Sequence, residues 1–202
     1  MVLTLTMSVF VDNTQVFAAE KIIRKGENKM SYDALKATIQ TTKGDIRLNL
    51  FPDKAPLTVL NFVNLSKKGF YDGQSFHRVI NNFMIQAGDI RTKKTNQNNL
   101  SGLPDPNYTI PAEFNPSLYH RKGVIAAART DDKVNPQRAS SGSQFYIVQG
   151  HVFSDQELNQ MENKQVHIKF TEEQRKIYKS LGGTPHLDYA YTVFGEVISG
   201  FE

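Results

Sequence analysis

The chain has 202 residues, 39% hydrophobic and 22% charged, which suits one globular domain with its own core plus a tail or insertion and is too short for two full domains. Its 24 Lys and Arg against 20 Asp and Glu leave a net charge of +4, but the cations are scattered in short groupings such as Lys67-Lys68 and Arg91-Thr92-Lys93-Lys94, the pattern of a solvated surface rather than a nucleic-acid-binding face. The lack of cysteine excludes disulfides, thiolate metal sites and a cysteine nucleophile, and no run reaches the roughly 20 apolar residues of a membrane-spanning helix.

Residues 1–31 read as a leader and linker, and residues 32–202 as the domain. The mostly apolar residues 2–11 pass through Asp12-Asn13-Thr14-Gln15 to Val16-Phe17-Ala18-Ala19, where small residues stand as a signal peptidase requires, yet a basic n-region is missing. Two readings stay open. One is a signal peptide starting upstream of Met1, on an exported or periplasmic protein, which the small residues favour. The other is an incidental apolar tail on a cytoplasmic one.

From Ala37 the pattern turns β. Ala37-Thr38-Ile39-Gln40-Thr41-Thr42, a Lys43-Gly44-Asp45 turn and the alternating Ile46-Arg47-Leu48-Asn49-Leu50 predict a hairpin. Pro52-Asp53-Lys54-Ala55-Pro56 opens a helix with Val59, Phe62 and Val63 at i, i+3, i+4, closed near Lys67-Lys68-Gly69, and its apolar stripe must cover a sheet. Two short strands should flank Asn81-Asn82, within Phe76-His77-Arg78-Val79-Ile80 and Phe83-Met84-Ile85-Gln86-Ala87-Gly88-Asp89. Residues 91–107 are polar and too long for a tight connection, so a surface loop is expected. Residues 123–128 and 144–148 predict strands around a polar excursion, of the kind that edges binding sites. Asp155-Gln156-Glu157 starts a helix, Thr171-Glu172-Glu173-Gln174 is a capping box, and Gly182-Gly183 stops the helical stretch. Tyr191-Thr192-Val193-Phe194-Gly195-Glu196-Val197 is the last strand. Many short strands with few helices suggest a closed antiparallel sheet capped by helices.

Cofactor and metal chemistry find no support in the pattern. The five histidines, His77, His120, His151, His167 and His186, have no ligand spacing, and there is no Gly-x-Ser-x-Gly elbow, Walker loop or dinucleotide glycine loop. What remains is a groove of Arg, Gln, Phe, Met and Tyr without a nucleophile or an acid/base pair. That inventory suits a reaction in which no covalent bond is made or broken.

Phe76-His77-Arg78-Val79-Ile80, Phe83-Met84-Ile85-Gln86-Ala87-Gly88-Asp89, Pro111-Ala112-Glu113-Phe114, Ser143-Gln144-Phe145-Tyr146 and Val193-Phe194-Gly195 together resemble the cyclophilin-type peptidyl-prolyl isomerases, in order, from about Ala37 to the C-terminus. The resemblance implies a mainly β fold, a closed antiparallel eight-stranded β-barrel capped by helices. Family members continue past the position of Gly200 into a helix and a strand that pairs with the start of the barrel. Because this chain stops at Glu202, the expectation is an open edge and a weakened domain. A helical insertion at about 151–183 is read as a packing cap.

The resemblance also implies acceleration of rotation about X-Pro bonds, with Arg78 as the catalytic residue. Phe83, Met84, Tyr146 and Leu187 would form the proline socket, and Gln86 and Gln144 would anchor the substrate backbone. His77, Ala128, Arg129, His186 and Tyr191 complete the substrate-binding set, with Arg129 engaging the peptide through its main chain and His77 assigned no proton. Each has a plainer reading: Arg78 as half of an edge ion pair, Phe83, Met84 and Leu187 as ordinary core, the glutamines as caps for loop backbone. His186 stands where the best-known members have tryptophan and Tyr191 where they have histidine. The first change weakens the case for cyclosporin binding, since that tryptophan belongs to the drug-binding surface; the second alters the groove floor. No cofactor is implied. The implied partners are proline-containing peptides and unfolded or partly folded proteins, met by a monomer that assists folding. Two rivals remain, a proline-peptide binding or chaperone module without catalysis and a small-ligand β-barrel carrier.

Overall fold

The computed structural model describes residues 7–11, 35–93, 106–164 and 169–202. Ten strands and three helices follow in chain order among them. The strands are β1 (Met7–Val11), β2 (Leu35–Thr41), β3 (Gly44–Leu50), β4 (Arg78–Ile80), β5 (Met84–Ala87), β6 (Thr109–Ile110), β7 (Val124–Ala127), β8 (Ser140–Ser141), β9 (Phe145–Val148) and β10 (Val193–Ser199). The helices are α1 (Pro56–Lys67), α2 (Asp155–Lys164) and α3 (Glu172–Ser180). None is long and apolar enough to cross a membrane.

Eight strands form one antiparallel sheet in the order β1-β2-β3-β10-β7-β9-β5-β4, curled into a half-barrel, while β6 and β8 make a separate two-stranded pair. The predicted hairpin is present as β2 and β3, paired from Leu35 opposite Leu50 to Thr41 opposite Gly44. Met7–Val11, set within the leader by the sequence pattern, is here a strand paired to β2, from Met7 opposite Thr41 to Val11 opposite Ala37. It occupies the edge of β2 that was expected to be open, with Val9 buried in the main core. Most of the loop expected at 91–107 lies outside the described residues, and its first residues finish a 3₁₀ turn, Ile90–Thr92.

The sheet divides two cores because side chains alternate along each strand. On the inner face Ala87, Ile125, Ala127, Phe145, Ile147 and Phe194 pack beneath the Val59, Phe62 and Val63 stripe of α1. Phe62 sits at the centre, 5.4 Å from the rings of Tyr71, Phe145 and Phe194. The N-terminus of α1 leaves orphan N–H groups, which the Glu113 carboxylate receives from Leu57 at 2.9 Å and Thr58 at 2.8 Å. That gives the Pro111-Ala112-Glu113-Phe114 motif a concrete role in tying α1 down.

Residues 151–183 build α2 and α3 around a small core of Phe153, Leu158 and Tyr178. The capping box is formed. The Gln174 N–H donates to the Thr171 hydroxyl at 3.2 Å, and the Thr171 N–H donates to the Gln174 side chain at 2.8 Å.

Candidate active site

One cross-strand row carries the centre of the site. Arg78 on β4 lies opposite Gln86 on β5, Gln86 opposite Tyr146 on β9, Tyr146 opposite Ala126 on β7, and Ala126 opposite Val193 on β10. Residues paired across an antiparallel sheet share a face, so the register alone brings these five to the outer face. The β4–β5 turn sets the register: Asn82 adopts φ 58°, which Asn tolerates, and its N–H donates to the Gln149 side chain at 2.9 Å. At the other end of β5, Gly88 at φ 94° lets the backbone lie against Ser143 and Gln144, where a Cβ would collide with the Ser143 carbonyl.

Arg78 is exposed, unlike the buried residues of its row. Its Nη1 donates to Gln86 Oε1 at a long 3.5 Å, and the Gln86 amide in turn donates to Gln144 Oε1 at 2.9 Å. The guanidinium also lies over the Phe83 ring, 5.8 Å from its centroid. A loosely held cation thus stands at the head of a polar chain that two glutamines extend along the sheet.

Beside that chain lies the second core: Met84, Val124, Ala126, Ala128, Tyr146, Val148 and Val193 buried, with Phe83, Leu187 and Tyr191 half-buried against them. Phe83 stacks on His186 at 5.7 Å and 22°, so the loop after α3 forms one rim. A groove of about 400 Å³ continues past Gln86 and Gln144 along Ala128, Arg129, Tyr108 and Ser141.

Arg129 borders this groove without filling it. Its side chain folds back over the Tyr191 ring, 4.4 Å from the centroid, donates to the Ala190 carbonyl at 2.7 Å and pairs with Asp132 at 2.5 Å. The guanidinium is thereby engaged with Tyr191, Ala190 and Asp132.

Phe83, Met84, Gln86, Ala128, Arg129, Gln144, Tyr146, His186, Leu187 and Tyr191 therefore gather around Arg78. His77 is not among the residues of the second core or the groove lining; its charged neighbours are Asp89, Arg91 and Arg78, and its Nδ1 is buried without a partner among the described residues. Desolvation holds its imidazole below the ordinary value, against the opposing pull of Asp89. Desolvation likewise lowers His186 and pushes the Tyr146 phenol well up, with Tyr191 and Asp188 adding to the latter.

Sequence reasoning missed His120, Tyr178 and Asp188, which lie directly behind Tyr146. The His120 ring stacks on Tyr146 at 6.1 Å and 15°, its Nε2 is 3.0 Å from the Tyr146 hydroxyl, and its Nδ1 is 3.0 Å from Asp188 Oδ1. No spacing signal could have linked residues so far apart in the chain.

A family model, "Cyclophilin type peptidyl-prolyl cis-trans isomerase/CLD", matches residues 36–202. A Staphylococcus haemolyticus protein named as a peptidyl-prolyl cis-trans isomerase is 38% identical over 166 residues, covering 82% of this chain and 76% of that protein. A Streptococcus pyogenes protein named as a bifunctional phosphatase/peptidyl-prolyl cis-trans isomerase is 37% identical over 171 residues, 81% of this chain but 31% of that longer one. Among solved structures, a Cryptosporidium parvum cyclophilin-type isomerase superposes with a TM-score of 0.55 at 26% identity, covering 81% of this chain and 77% of that one. The same protein has also been solved in the presence of the dipeptide Ala-Pro. Because the family match takes in the whole curled sheet from β2 onward and every residue around Arg78, this chain belongs to the cyclophilin-type peptidyl-prolyl cis-trans isomerases, enzymes that turn X-Pro peptide bonds.

Proposed function

We propose that Arg78 is the group that lowers the rotational barrier, on proline-bearing segments of peptides and incompletely folded proteins laid along this groove. Twisting an amide costs about 18–20 kcal/mol because resonance is lost, and unaided X-Pro bonds interconvert over roughly tens to hundreds of seconds. As the bond twists, the proline nitrogen regains a lone pair that a planar amide lacks. A guanidinium aimed at it stabilises the twisted state over either planar one, which is the differential binding that catalysis needs. Such stabilisation needs only the fixed charge of a guanidinium, so no proton has to move.

The rest of the site holds one side of the bond while the other turns. Met84, Phe83, Tyr146 and Leu187 receive the proline ring, and Gln86 and Gln144 hold the peptide backbone beside it. The observation that carries this reading is the single row from Arg78 through Gln86 to Tyr146, which sets the cation, a backbone anchor and the socket floor side by side. The groove along Ala128 and Arg129 accommodates the residues preceding the proline.

The test is a protease-coupled isomerisation assay on a proline tetrapeptide. The wild-type chain should accelerate conversion, and Arg78→Ala should lose about 100-fold or more in kcat/KM, the cost of removing one transition-state donor, with an unchanged circular dichroism spectrum. Unchanged turnover in that variant, or peptide binding without acceleration by the wild type, overturns the reading.

A further inference from the structure

We propose that the helical segment at 151–183 acts on the proline socket through a buried relay, Tyr178–Asp188–His120–Tyr146, which makes Tyr178, Asp188 and His120 positioning residues for the isomerase. The proposal rests on the reading of Tyr146 as the socket floor. All four side chains are sealed from solvent, with exposures of 0% for Tyr178, 1% for Asp188 and His120, and 4% for Tyr146. Four polar side chains buried together in so small a volume are costly unless every donor meets an acceptor.

With a neutral His120 ring, the donors and acceptors match in one direction only. Tyr178, on α3, donates its hydroxyl to Asp188 Oδ2 at 2.6 Å. Asp188 Oδ1 receives the His120 backbone N–H at 2.7 Å and faces the ring Nδ1 at 3.0 Å. A carboxylate has only acceptors, so Nδ1 must carry a proton, and in the neutral ring Nε2 then offers a lone pair. That lone pair receives the Tyr146 hydroxyl at 3.0 Å. Both phenols are held well above their ordinary titration range by burial, so they remain donors.

The relay links two parts of the molecule that the main chain does not join locally. Tyr178 belongs to the small core of the inserted helices, and Tyr146 belongs to the socket with Met84 and Val148. Asp188 follows the 3₁₀ turn that carries His186 and Leu187, and its backbone N–H donates to the Pro185 carbonyl, so the residue that meets His120 also closes the turn at the rim. Gly183 permits this approach, since a Cβ there would strike the His120 carbonyl and the Tyr178 ring. Tyr191 meets the Tyr146 ring edge-on at 5.9 Å and 84°, so a swing of that ring would break both the hydroxyl bond and its aromatic contacts.

A socket whose floor is free to swing holds the proline ring less firmly in the planar and the twisted states alike. Such a loss raises KM and leaves kcat alone, the opposite of the signature expected for Arg78. Tyr178→Phe and Tyr146→Phe remove one hydroxyl each and keep both rings. Each should raise KM for the proline tetrapeptide about 3- to 10-fold, the worth of one buried hydrogen bond, with kcat unchanged. The double variant should be no worse than the more affected single one, because both break the same chain. Tyr146→Ala separates the two levels of the argument. If it leaves KM unchanged, the socket reading itself fails. If it raises KM while Tyr178→Phe does not, the relay alone is overturned. Nitrogen chemical shifts of His120 in the wild-type chain give a check that needs no variant: a proton on Nδ1 supports the relay, and one on Nε2 overturns it.

Discussion

The two faces of the half-barrel bury side chains by different means, and strands β7 and β9 serve both at once. On the inner face Phe145 and Ile147 pack with Phe62 and α1 in a mainly apolar core whose hydroxyl, that of Tyr71, donates to the Ser143 carbonyl. One residue over, Tyr146 and Val148 line the outer face, where the Tyr146 hydroxyl meets His120 and His120 in turn meets Asp188. Apolar packing is tolerant of direction and supplies stability. A site that must hold a five-membered ring beside a cation needs fixed orientation, and hydrogen bonds provide it. Damage to the inner face should therefore appear in unfolding, and damage to the outer face in kinetics.

The strongest challenge to that division is Phe62→Ala. Three aromatic rings lose their common neighbour, so urea unfolding should show a loss of about 3–5 kcal/mol. The kcat/KM of the molecules that remain folded should match wild type, and a large drop in it would mean that the inner core also sets the site.

Glu113→Ala tests the same division at a motif that carries the family resemblance and that caps α1. With the Leu57 and Thr58 N–H groups left unpaired at the start of α1, stability should fall by about 1–2 kcal/mol. Activity measured well below the melting temperature should hold. On the outer face, Gln144→Ala should show the reverse, a fall in kcat/KM of about 5- to 10-fold from one lost hydrogen-bonding partner with the urea midpoint unmoved. Equal shifts in stability for both variants would erase the distinction between the faces.

Much of this arrangement was legible because it is local. The hairpin at Lys43-Gly44-Asp45, the Val59, Phe62, Val63 stripe, the strands around Asn81-Asn82 and the Thr171 capping box each rest on a period or a turn chemistry spanning a few residues. Arg78, Gln86, Gln144 and Tyr146 were reachable because their motif is shared. What escaped depends on pairing at a distance. Met7–Val11 reads as apolar leader until β2 is beside it, and β6 and β8 are two residues each, below any periodic signal. His120 meets Asp188 across 68 positions and Tyr146 across 26, and a lone buried histidine carries no mark of its partners in the sequence. His77 came to the site only with the family resemblance, and it lies just before β4 rather than on it.

The smallest effect separates two histidines whose protonation burial opposes. Desolvation holds both His186 and His77 below the ordinary imidazole value of 6.5. Above that pH both are neutral, folded or unfolded. As pH falls through it, the unfolded chain takes up protons first, so the unfolded state binds more of them and stability declines toward the lower folded-state values. Both residues should contribute to that decline. Only His186 stacks on Phe83 at the socket rim, where a bound proline ring would remove more water from the imidazole. A protonated His186 opposes that desolvation, so KM should rise as pH drops below the folded-state value while kcat, which the proposal assigns to Arg78, stays level. His186→Phe should flatten the KM profile and His77→Gln should leave it sloped, although both should flatten part of the stability profile. A KM profile flattened by His77→Gln instead would place His77 at the groove and reverse the assignment of the two residues.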